Sequence, residues 1–211
     1  MARNARRRGI SRRGWLLAGL ALPLFRLRAE GVLSASCDGD ELHPLAPTLH
    51  FLSGKSMERL KYGDTVVFLS QLTIFSDEGR TIFRKPDPER LIVSYDIWEE
   101  NRFNVVIPGP TRRAASGVSS AAAESWCLEN LSISTSGMAP EWPFWLRFEL
   151  RPADPKALGL LMGQSGISIT GLMLDLLSRK PGAGEDHWTL DSGRLRLADL
   201  VRTPGRGARI G

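Results

Sequence analysis

The sequence predicts an α+β fold: an antiparallel β-sheet with two or three helices packed on one face, forming a single domain. Three observations predict it. Apolar residues alternate at a period of two through the middle of the chain. Turn-forming residues separate the successive runs. Only a few windows place apolar residues at helical spacings of three and four.

In chain order, Ser53 is placed to cap a short helix through Tyr62, with Gly63 as its stop. From Thr65 to Phe75, Val66, Phe68, Leu72 and Ile74 share one face of a strand. Asp77-Glu78-Gly79 supplies turn chemistry and Thr81 to Phe83 returns. Pro86 and Pro88 make the next stretch a loop, because proline cannot donate to a central ladder. Leu91, Val93, Tyr95 and Ile97 form the next alternating face, Glu99 to Arg102 turn the chain, and Phe103, Val105 and Ile107 bring it back. A helix is predicted over 118–131, with Val118, Ala121, Ala122, Ser125 and Leu128 on one face. Phe144, Leu146, Phe148 and Leu150 then alternate with Trp145, Arg147, Glu149 and Arg151. A third helix is predicted over 169–178, before Lys180-Pro181-Gly182, and strand character resumes around His187 to Leu200. One apolar and one polar face per strand is the pattern of a sheet covered on one side.

The first thirty residues differ in kind. Arg3, Arg6, Arg7, Arg8, Arg12 and Arg13 precede an uncharged run from Gly14 to Phe25. That run is shorter than the roughly 20 apolar residues a membrane span needs, and it has the layout of an export signal. Ser11-Arg12-Arg13-Gly14-Trp15-Leu16-Leu17 resembles the twin-arginine pattern, and Arg26 and Arg28 after the apolar run suit that route. An ordinary secretion signal and an uncleaved anchor are the alternatives. Small residues at Ala29 and Ala35 offer two cleavage points. The domain organisation expected is therefore an export signal at 1–30, a flexible arm at 31–44, the folded domain at 45–200 and a disordered basic tail at 201–211. The location expected is the periplasm or the cell envelope.

The leader also carries the basic charge. Residues 1–30 hold eight Arg and one Glu, a net of +7, which leaves 20 basic and 22 acidic residues, a net of −2. A remainder of that sign gives no counterion-release drive toward nucleic acid, and none is expected as a partner. Cys37 and Cys127 are the only cysteines. In an oxidising compartment they are candidates for a disulfide; the alternative is a buried Cys127 on a helix with Cys37 in the arm.

Several chemistries are weighed and set aside. Gly54-Lys55-Ser56 ends like a phosphate-binding loop, but Leu49 stands where the first glycine belongs. Gly163-Gln164-Ser165-Gly166 has its second glycine one position early for a nucleophile elbow. Cys37, Asp38, Asp40, Glu41, His43 and His50 have ligand chemistry at spacings that match no zinc or calcium pattern. No catalytic residue, cofactor or metal is assigned. Trp98 and Trp145 fall opposite the apolar faces of their strands and form a candidate binding patch.

Five blocks, in their order, carry a family resemblance: Gly63-Asp64-Thr65-Val66-Val67-Phe68, Ser94-Tyr95-Asp96-Ile97-Trp98, Ala121-Ala122-Ala123-Glu124-Ser125-Trp126, Pro143-Phe144-Trp145-Leu146-Arg147 and His187-Trp188-Thr189-Leu190-Asp191-Ser192. Over residues 45–200 the chain resembles a family of small exported bacterial proteins catalogued as a domain of unknown function (number 4390). The resemblance implies an envelope protein without a known catalytic site, and it transfers no functional residues. The expected function is a non-enzymatic domain that binds an envelope protein or the membrane surface. One rival is an envelope hydrolase with a dispersed carboxylate site, for which Asp96, Glu99 and Glu100 are first suspects. Another is a structural subunit of an envelope complex, recruiting its partner through an open edge strand.

Overall fold

Ten residues of uninterrupted burial make Val66–Phe75 the centre of the molecule, and the rest of the fold is arranged around that strand. The structure is a computed structural model that describes residues 33–99, 101–153, 173 and 186–201. The export signal with Arg12 and Arg13, Glu100, Gly163-Gln164-Ser165-Gly166, the helix expected at 169–178 (Met173 apart) and the tail beyond Val201 lie outside the described residues.

In chain order the elements are β1 (Ser34–Asp38), β2 (Glu41–Leu45), α1 (Gly54–Lys61), β3 (Val66–Phe75), β4 (Ile82–Arg84), β5 (Glu89–Tyr95), β6 (Phe103–Ile107), β7 (Arg113–Val118), α2 (Ser120–Glu129), β8 (Ile133–Ser134), β9 (Trp145–Pro152) and β10 (Trp188–Asp191). A 3-10 turn, Leu197–Asp199, follows. The architecture is α+β and largely sheet. One sheet of seven strands runs β10-β9-β3-β5-β6-β7, with β4 also on β3, and a second of three runs β1-β2-β8. Every named strand pairing is antiparallel.

The register of β3 explains the core. Ile74 pairs with Leu146, Leu72 with Phe148 and Ser70 with Leu150, while Val66 pairs with Val93 and Phe68 with Leu91. Because side chains alternate faces, this alignment puts the apolar sets of three strands on one side. Leu60 of α1, Ala123, Cys127 and Leu128 of α2, and Leu33, Ala35 and Leu42 of the small sheet complete the same core cluster. The apolar face is thus shared between both helices and a second sheet, and helices alone do not cover it. Val67, Leu69 and Phe75 on the opposite face of β3 are buried as well, so the central strand is covered on both sides.

The N-terminal segment corrects an expectation. Residues 34–44, expected within a flexible arm, form the β1–β2 hairpin together with Leu45, and Leu33, Ala35, Cys37 and Leu42 are buried. Asp38 pairs with Glu41 around a two-residue turn in which Gly39 takes φ 59°. Glycine adopts that left-handed value without the Cβ penalty, which makes Gly39-Asp40 hairpin chemistry. The outer side of β1 is held too: Cys37 N–H donates to Val201 O at 3.2 Å, and Leu33 bridges Ser192.

Both described helices also depart in detail from expectation. Ser53 sits at the N-cap of α1, yet its hydroxyl donates to His50 O at 3.0 Å and makes no cap bond. The stretch from 113 to 118 is strand β7, and α2 begins after Ser119, whose Oγ accepts from Ala122 N–H. Its buried positions are Ala123, Glu124, Cys127 and Leu128, whereas Ala121, Ala122 and Ser125 are exposed. The helix is therefore turned by about one residue from the predicted face, and it buries an acid.

Candidate functional site

Trp98 is exposed because of a turn, not because of strand phase. Strand β5 stops at Tyr95. The Asp96 carboxylate then accepts from the backbone N–H of Trp98 at 2.9 Å and of Glu99 at 3.3 Å, a local competition with the ladder that ends strands. Asn101 takes φ 62° and donates its N–H to Tyr95 Oη at 2.9 Å, which closes the turn into β6. Ile97, expected to continue the buried alternation, lies beyond the strand and is 61% exposed. Trp98 itself is 88% exposed.

A second element meets this turn. Val66 pairs with Val93, so the residues just before β3 and just after β5 lie at one end of the sheet. Tyr62, the C-cap of α1, is 89% exposed there. Tyr62, Ile97 and Trp98 are thus exposed side chains carried at one end of the sheet, its tip, with Asp64, 3.5 Å from Arg59, near Tyr62 in the chain and Asp96 and Glu99 flanking Ile97 and Trp98.

Trp145 is elsewhere. It pairs with Phe75, at the opposite end of ten-residue β3. At about 3.3 Å per residue the two ends are roughly 30 Å apart. Trp98 and Trp145 therefore do not form one patch, which corrects the sequence expectation. Burial along β9 alternates: Leu146, Phe148 and Leu150 are buried, and Trp145, Arg147 and Glu149 are half-buried. Arg151, the fourth member of the polar face, is buried. The Arg147 guanidinium lies 5.1 Å from the Phe75 ring centre and donates to Asp191 at 2.6 and 3.3 Å. The hydrogen bond to Asp191 raises the Arg147 pKa further.

Of the carboxylates expected of an enzyme, Asp96 is engaged in structure. Asp96 shapes the turn just described, Glu99 is exposed, and Glu100 lies outside the described residues. Burial raises the pKa of Glu89, and Arg113 at 2.7 Å opposes the shift. Arg113 also donates to Asn130 O, so that pair ties β5 and β7 to the end of α2.

The metal-type residues are separated by the hairpin. His43 Nδ1 stands 2.9 Å from Leu131 O, and His50 faces Glu124. Among the described residues no group of three or more His, Cys, Asp or Glu is placed to hold an ion. Cys37 and Cys127 are both buried and no disulfide joins them. Cys37 Sγ lies 3.2 Å from Gly39 O. The Cys127 thiol is pushed up to about 12, first by burial and then by the charge of Glu124.

Sequence reasoning missed a groove. It measures about 410 Å³ and lies between α2 and the chain that follows β2, with Leu45, Leu49, His50, Glu124 and Leu128 in its walls. Glu124 Oε1 accepts the Leu52 N–H at 2.7 Å, and Oε2 stands 3.1 Å from His50 Nδ1. Glu124 occupies the buried stripe of α2 at one turn's spacing from Leu128; an acid in that stripe was the signal available.

Among the described residues no helix is long and apolar enough to cross a membrane. Comparison of the chain with protein-family models, curated proteins and solved structures finds no match.

Proposed function

We propose that this chain is an exported envelope protein whose folded domain is a non-enzymatic interaction module, engaging an envelope protein through the Tyr62–Ile97–Trp98 tip. The observation that carries this reading is the 88% exposure of Trp98 on a turn built to hold it out. Tryptophan offers large contact area with few torsions, and exposed examples typically serve as interface anchors. The twin-arginine-like leader, with Arg12 and Arg13, supports the location.

Of the three carboxylates suspected for the hydrolase alternative, Asp96 is held by two backbone donors in the turn. The test is co-purification from the native envelope with wild-type protein, Trp98→Ala and Trp145→Ala. Trp98→Ala is expected to release the partner with an unchanged unfolding midpoint, while Trp145→Ala keeps it. Retention of the partner by Trp98→Ala overturns the assignment of the tip. Transfer of binding from protein to lipid vesicles points instead to the membrane surface.

A further inference from the structure

The groove beside α2 has a consistent chemistry. Its walls are mainly apolar, with Leu45, Leu49 and Leu128 contributing the largest side chains. Among the described lining residues the carboxylates are Glu124 and Glu129, the one basic group is His50, and there is no Lys or Arg. A cavity of this size, apolar with a few convergent polar groups, is the usual form of a small-molecule site.

Glu124 gives the site a sign. The residue is 95% buried, being 5% exposed, yet it lines the groove. Leu52 N–H and His50 each engage one of its oxygens. A carboxylate oxygen has two acceptor positions, so each keeps one beyond these contacts. Low-dielectric walls strengthen an ion pair made there, and a cation is the complement of such a carboxylate. An anionic ligand placed against Glu124 would meet repulsion instead.

We propose that the groove binds a small amphipathic organic cation, an amine on an apolar body. The ammonium sits on Glu124 beside His50, and the body lies against Leu45, Leu49 and Leu128. This site is on the α2 side of the core and does not depend on the Trp98 tip.

The test uses the chain without its leader and isothermal titration below micelle concentrations with three probes of one length: decylamine, decanol and decanoate. Decylamine is expected to bind with at least roughly tenfold higher affinity than either other probe, the effect of one charge-assisted hydrogen bond. Glu124→Gln, which keeps an acceptor for Leu52, is expected to remove that preference, and Trp98→Ala to leave it intact. Should Glu124→Gln fail to fold, Leu45→Ser on the groove wall is expected to weaken decylamine binding instead. Equal binding of decanoate, an unchanged preference in folded Glu124→Gln, or unchanged binding in Leu45→Ser overturns the proposal.

Discussion

Arg147 Nε donates to Asp191 Oδ1 at 2.6 Å across the β9–β10 pair, on the face of the sheet opposite the main core. The two residues are direct register partners, so the ion pair also fixes the alignment of β10. With Arg147 stacked over Phe75, the polar face of β9 is organised around a guanidinium, and Trp145 sits at its edge.

Stability should therefore divide by face. Phe148→Ala is expected to cost about 3–5 kcal/mol through transfer and cavity terms, since Phe148 is fully buried. Trp145→Ala should cost clearly less. Urea unfolding midpoints of the two variants decide it, and equal losses would make the Trp145 face part of the core.

Glu124 holds the segment from His50 to Leu52 against α2. Glu124→Ala orphans the Leu52 N–H and should cost about 1–3 kcal/mol, the penalty of a buried donor without its acceptor. Glu124→Gln should recover part of that loss. Thermal unfolding of both variants measures the difference, and an equal loss in Gln would show that charge matters more than the acceptor.

The thiols should resist alkylation in the folded state. With Cys127 pushed up to about 12, its thiolate fraction at pH 8 is on the order of one in 10⁴. Cys127 is expected to react with iodoacetamide only after denaturation, with two alkylated sites in the unreduced, unfolded protein. A mass two units lower, with neither site alkylated, would instead report the disulfide open to this chain on export.

Asp77 gives the 77–81 turn an acid-sensitive lock. Its carboxylate accepts from the N–H groups of Arg80 and Thr81, both at 2.7 Å. The Thr81 backbone bond is the main cause of its lowered pKa. A depressed folded value means the stabilisation is present above the ordinary 3.8 and is lost as pH falls through the folded value. Asp77→Asn should flatten the stability profile below about pH 4, as read by unfolding midpoints across pH 2–6.

Export and processing can be read together. Replacing Arg12 and Arg13 with Lys should trap precursor in the cytoplasm if the twin-arginine route is used, and fractionation measures it. Mature protein should begin at Glu30, after Ala29. Cleavage after Ala35 would remove buried Leu33 and two residues of β1, and N-terminal sequencing distinguishes the two.

Strands were more legible than faces. The alternation of Val66, Phe68, Leu72 and Ile74, and of Phe144, Leu146, Phe148 and Leu150, reports a local rule that burial enforces. What escaped was set by distant partners. The hairpin at 34–45 is short, and its buried side has one large apolar residue, Leu42, among Ala35, Cys37 and Pro44, too little to stand out. The rotation of α2 depends on Glu124 finding Leu52, 72 positions away. Trp98 and Trp145 looked alike by phase, yet strand direction sends them to opposite ends. The groove's two walls come from separate parts of the chain, so Glu124 in the buried stripe of α2 is its one local mark.

The clamp on β1 bears on when the fold can finish. Leu33 bridges Ser192 and Cys37 bonds Val201, contacts spanning about 160 positions each, among the most non-local a chain of this length can make. Synthesis from the N-terminus releases β1 about 160 residues before the segment that closes over its outer side. Until then β1 presents an unpaired edge, and the large sheet lacks β10. Residues 188–201 must therefore be present before either sheet has its full set of described contacts, and truncation before Trp188 should leave an open-edged, association-prone species rather than a slightly shortened domain.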